Sequence, residues 1–130
     1  MRLTTMSLLM ILLATACEQD AEWTVEGLTL ARDDLDYAEV SGTVTLESEG
    51  DMFGTDAEVR YYSDQYETLI VKAEDIIGFD IEAEGESQLF QITHYEVYVE
   101  SAYGGFDGVC AEFRADNSNH TDWTRLGCLD

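Results

Sequence analysis

From about residue 22 onward, apolar and polar side chains alternate along the chain with a period of two. Val40, Gly42, Val44 and Leu46 interleave with Ser41, Thr43, Thr45 and Glu47, so one side of this segment meets a core and the other meets water, which is the pattern of a half-buried strand. The same alternation sets Ala57, Val59 and Tyr61 against Glu58, Arg60 and Tyr62, and Ile77, Phe79 and Ile81 against Gly78 and Asp80. Leu69 and Val71, Phe90 and Ile92, and Tyr95, Val97 and Val99 continue the series. Trp23 and Val25 share one parity and Leu28 and Leu30 the other, with Gly27 at the slip; a glycine at a change of phase predicts a β-bulge. The turn-forming clusters "ESEGD", "SDQ", "EAEGES" and "YGGFDG" fall between these runs at roughly ten-residue intervals, the spacing of an all-β fold. The expectation is an antiparallel β-sandwich. Proline is absent, so the turns rely on Gly, Asn, Asp and Ser.

The first sixteen residues follow a different grammar. A single charge, Arg2, precedes the run Leu8-Leu9-Met10-Ile11-Leu12-Leu13, and Ala14-Thr15-Ala16 then leads into Cys17. This is the layout of a secretory signal, and it falls short of the roughly 20 apolar residues that cross a bilayer as a helix. A small residue directly before a cysteine resembles the lipobox of bacterial lipoproteins, with Ala14 in place of the commoner leucine. The resemblance implies cleavage before Cys17 and attachment of diacylglycerol to its sulfur. An ordinary signal cut after Ala16, with Cys17 left as a free thiol, is the alternative. The expected organisation is a signal peptide over 1–16, a lipidated N-terminus and short tether over 17–22, and a β-sandwich over 23–130.

Cysteine arithmetic bears on the same point. Three cysteines in an exported chain leave one over after any disulfide, and Cys17 is the natural remainder. Several acyl chains on one residue give stable membrane anchoring. Glu18 stands where an aspartate would resemble an inner-membrane retention signal, so the outer membrane is the expected destination. Cys110 and Cys128 lie symmetrically about Asn119, in the middle of the polar segment "DNSNHTD". A symmetric hairpin places them opposite each other at a distance a disulfide accepts, and export favours its oxidation. Alternation in that register puts Val109, Ala111, Phe113, Trp123 and Leu129 on the face turned to the core.

Charge narrows the range of partners. The chain has 28 Asp and Glu against 6 Lys and Arg, a formal charge of −22, which excludes nucleic acid as a ligand. Such acidity serves solubility in a saline habitat, a divalent-cation site or basic protein partners. For calcium, Asp33, Asp34 and Asp36 form the densest cluster, and the segments at 47–51 and 116–122 also offer hard oxygens. None has EF-hand spacing, and a solvated acidic turn is the plainer reading. No other cofactor is implied. His94 and His120 occur in no metal-binding spacing, and no Ser or Cys sits in an activating motif. An enzyme is not expected, and His94 reads as a strand residue at the rim.

The stretches "EVSGTVTL", "AEVRYYSD", "IEAEGESQLFQI" and "YEVYVES" together resemble the FxLYD domain, a bacterial immunoglobulin-like module of exported and lipid-anchored proteins, over roughly residues 22 to 101. Val59, Tyr61 and Tyr62 stand at the first, third and fourth positions of the naming motif, while Ser63 replaces its aspartate and Asp64 follows one place later. The resemblance implies an immunoglobulin-like sandwich with a structural or binding role in the envelope, and no catalytic residues. For a protein partner, a sheet edge is the expected surface, marked by outward aromatics such as Tyr62 and Tyr98.

Overall fold

The structure, a computed structural model, describes residues 21–48, 55–77, 83–99 and 105–129. Cys17 with the signal segment, and the alternation expected at Phe79 and Ile81, lie outside the described residues. Among the described residues seven strands follow one another: β1 (Glu22–Arg32), β2 (Tyr37–Ser48), β3 (Thr55–Ser63), β4 (Thr68–Ile77), β5 (Ser87–Tyr98), β6 (Cys110–Ala115) and β7 (Thr124–Cys128). They form two antiparallel sheets, ordered β1-β2-β5 and β4-β3-β6-β7. This is a Greek-key order of immunoglobulin-like sandwiches, with the fourth strand on the second sheet. The runs at Leu69–Val71 and Ile77, counted apart in the sequence pattern, belong to the single strand β4, and those at Phe90 and Val97 to β5.

The core is what the alternation dictates. Val25, Val40, Val44 and Leu46 on one sheet meet Val59, Tyr61, Val109 and Phe113 on the other, all fully buried. Gly42 has a specific packing reason to be glycine. It pairs with Phe90 across β2 and β5, and a Cβ built on it would lie 2.9 Å from the Phe90 ring and 3.1 Å from the Glu26 carbonyl oxygen. The ring covers the glycine and then stacks on Phe113 of the opposite sheet, with centroids 6.1 Å apart. Gly42→Val therefore displaces Phe90 and the β1 backbone together. The expected loss is about 1–3 kcal/mol, the usual cost of overpacking, read as a lower urea midpoint with unchanged slope.

Three of the register shifts among the described residues change which side chains face outward. At Gly27 (φ 64°) β1 changes phase, because Glu26 pairs with Thr43 and Thr29 with Ser41, as the parity slip predicts. The segment before this bulge is closed along its other edge by the loop after β6. Trp23 N–H donates to the Asn117 carbonyl at 2.8 Å, Val25 N–H to Asn119 Oδ1 at 2.8 Å, and His120 Nε2 to the Val25 carbonyl at 2.9 Å.

The second shift is in the C-terminal hairpin. Cys110 and Cys128 are paired and joined by the expected disulfide, with Cα atoms 3.9 Å apart. Between Ala111 and Glu112 the register then moves by one, so that Phe113 opposes Thr124. A one-residue slip turns a strand's side chains to the other face. Trp123, expected on the core side, lies instead on the outer face, where the Arg60 guanidinium sits 3.9 Å from its ring centre. Val109 and Ala111, before the slip, and Phe113, after it, are buried as expected, and Leu129 is half-buried.

The third shift is a bulge in β5. Ala38 pairs with His94 but Tyr37 pairs with Tyr98, so Tyr95, Glu96 and Val97 are accommodated without counterparts on β2. Val97 turns in and is fully buried, and Tyr95 turns out to 69% exposure. Tyr95 is thus not the core residue that alternation with Val97 and Val99 predicts.

Candidate functional site

A polar bridge runs through the interior of the sandwich. His94 projects from β5, an outer strand of the three-stranded sheet, and is 4% exposed. Its Nδ1 is hydrogen-bonded to the Tyr61 hydroxyl on β3, and its Nε2 lies 2.9 Å from Asp75 Oδ2 on β4. Asp75 and Tyr61 share the inward parity of their strands, so all three side chains meet where β5 faces β4. With Nδ1 accepting from tyrosine and Nε2 donating to the carboxylate, a neutral imidazole satisfies both neighbours. Burial pushes the Tyr61 phenol well above the usual tyrosine range, and the negative charges of Asp75, Glu96 and Glu39 push it further. Tyr61 therefore stays a neutral donor. His94 is not at the rim, as the sequence suggested, but ties the two sheets together.

The arrangement has the residue types of an acid-base relay, yet both imidazole nitrogens are committed to groups of the fold and the ring is shielded from solvent. It positions sheets. Near Asp75 the surface forms a cleft lined by Asp56, Glu58, Glu74, Asp75 and Asp116. The charge there is partly answered: Lys72 Nζ lies 3.2 Å from Glu58 Oε2, and Arg114 lies 3.8 Å from Glu58 Oε1 and 3.2 Å from Asp116 Oδ1.

The calcium candidates have local structural tasks. Asp33 Oδ1 accepts the backbone N–H groups of Leu35 and Tyr37, both at 2.9 Å, and so builds the turn between β1 and β2 in the usual manner of an aspartate turn. Asp36 holds a left-handed conformation (φ 66°), and Asp34 is exposed. In the 116–122 loop, Ser118, Asn119 and His120 bond to the backbone or to Thr124. Among the described residues no three His, Cys, Asp or Glu side chains converge as metal ligands. No described helix is long and apolar enough to cross a membrane.

The turn built by Asp33 carries an aromatic cluster that sequence reasoning found only in part. Tyr37 meets Tyr95 edge to face with ring centres 5.1 Å apart, and Tyr98 at 5.4 Å. Leu35, at the tip of the same turn, is 67% exposed. Tyr98 was legible as an outward residue; Tyr95, next to the buried His94, faces outward with it. Tyr62, the other expected marker, lies on the second sheet beside Tyr66, with centres 5.5 Å apart. Its hydrogen bond to Glu112 raises the phenol pKa.

No family model matches the chain, and no curated protein matches it. Among solved structures it is similar to part of a GH3 β-glucosidase from Bifidobacterium adolescentis, at 14% identity and a TM-score of 0.40. That similarity covers 84% of this chain and 16% of the glucosidase chain, so the chain spans about a sixth of its length.

Proposed function

We propose that the chain is an exported lipoprotein whose β-sandwich, anchored through Cys17, has a non-catalytic binding or structural role in the bacterial cell envelope, at the outer membrane. The observation that supports this reading most is the Cys110–Cys128 disulfide. It uses two of the three cysteines and leaves Cys17, directly after the small residues that end the apolar segment, for the lipid. The order of the strands agrees with the immunoglobulin-like module that the sequence resembles. A non-catalytic role accords with His94, whose two nitrogens are spent inside the fold.

Metabolic labelling with an alkyne analogue of palmitate tests the anchor. The full chain is expected to be labelled, and a Cys17→Ala chain to carry no label while keeping its disulfide. Equal labelling of both chains would refute attachment at Cys17.

A further inference from the structure

The two outer faces of the sandwich differ in how they handle charge. Four of the chain's 6 basic residues, Arg60, Lys72, Arg114 and Arg125, belong to the four-stranded sheet. There Arg60 covers Trp123, Arg125 covers Tyr66 at 4.2 Å, and Lys72 and Arg114 meet Glu58. The three-stranded sheet carries the Tyr37, Tyr95 and Tyr98 cluster at one end, with Tyr95 exposed and Tyr37 and Tyr98 half-buried, and Leu35 is exposed at the tip of the adjoining turn. The segments that build this cluster, 32–39 and 94–98, contain Asp33, Asp34, Asp36, Glu39 and Glu96 against the single arginine Arg32.

We propose that this aromatic end is a docking surface for an arginine-bearing, extended segment of a protein partner. A guanidinium is attracted to the face of a tyrosine ring and forms paired hydrogen bonds with carboxylates. Both are supplied here by the turn and the β5 bulge, and the same chain already uses arginine on aromatic faces on its other sheet. The bulge gives the patch its form: Tyr95 faces outward in the alternation that buries Phe90 and His94, and the phase change after it buries Val97 and turns Tyr98 outward beside Tyr37. Such re-aiming of a side chain is a common role of bulges.

The placement also fits the proposed anchor, on which this one point rests. The chain enters the fold at Glu22, and β1 runs eleven residues from there to the turn at Arg32, a strand length of roughly 35 Å. A lipid at Cys17 therefore holds one end of β1 near the membrane and the tyrosines at the other end, facing away from it. This favours a protein partner over the bilayer as the occupant.

The test uses the full chain in detergent and, in parallel, the Cys17→Ala chain, so that the result is independent of lipidation. The probe is a fluorescent hexapeptide of alternating arginine and alanine, followed by anisotropy at about 0.15 M salt, where long-range attraction between exposed charges is largely screened. Tyr95→Ala is expected to weaken binding about tenfold without altering net charge. Glu74→Gln, which removes one charge from the opposite sheet, should leave it within about twofold. Equal binding by the parent and Tyr95→Ala chains, or an equal loss in Glu74→Gln, would show that only total charge attracts the peptide and would overturn the proposal. Absence of peptide binding to the parent, or Tyr95-dependent binding of the Cys17→Ala chain to phosphatidylcholine vesicles, would overturn it as well.

Discussion

His94→Leu is expected to lower the stability of the domain by about 2–4 kcal/mol, although it replaces a buried polar side chain by an apolar one of similar size. The loss comes from what stays behind. Leucine leaves the Tyr61 hydroxyl without the imidazole nitrogen and the Asp75 carboxylate without its donor, and stranded polar groups cost more than a made hydrogen bond contributes. Asp75 has 26% of its side chain exposed, so water recovers part of its solvation and keeps the figure below that of a fully buried ion. A double variant, His94→Leu with Tyr61→Phe, should regain part of the loss, which urea unfolding measures. An additive further loss would show that the two side chains do not interact.

The same cluster has a signature at high pH. Tyr61 keeps its proton in the folded state at pH values where an unfolded tyrosine, with a pKa of about 10, has lost it. Below that pH the phenol is neutral in both states and makes no difference. From about pH 10 upward the unfolded chain alone releases the proton, so stability falls as pH rises. Tyr61→Phe should flatten this decline relative to the parent.

Reduction of the Cys110–Cys128 bridge is the second large effect. The bridge closes a loop with a sequence separation of 18, and on the chain-entropy model it stabilises the fold by about 3 kcal/mol by restricting the unfolded state. For a domain of this size that corresponds to a melting temperature lower by roughly 10–20 °C. The difference should be most damaging at low salt, where repulsion among the 28 carboxylates is least screened and the remaining margin is thinnest. Calorimetry of the oxidised and reduced full chain provides the check. An unchanged melting temperature would mean that the bridge adds nothing to the fold.

What could be read in advance was local. The alternation in β2 and β3 needs only neighbours two apart, and the phase change at Gly27 is visible in the parity of Trp23 and Leu30. The symmetry of Cys110 and Cys128 about one residue was equally plain, because a hairpin pairs residues at equal distances from its centre. Trp123 and Tyr95 were misplaced for a common reason: a register shift is set by pairing between strands, and each changes which side chains share a face while leaving the composition of its strand unchanged. His94 was misjudged because its partners, Tyr61 and Asp75, come from two other strands and from the opposite sheet. Asp33, Asp34 and Asp36 show the converse. They are close in sequence, but the turn spends one on backbone N–H groups and exposes another, while the Asp56, Glu58, Glu74 and Asp116 cleft gathers carboxylates from two strands and a loop.

The proposed anchor depends on Cys17, and the intact mass of the native protein from the membrane fraction measures the state of that residue directly. The expected species begins at Cys17, carries the added mass of a diacylglyceryl group on that residue, with or without a further acyl chain, and is 2 Da lighter than the reduced chain because one disulfide is present. A chain beginning at Met1, or one cut elsewhere with an unmodified Cys17, would contradict it.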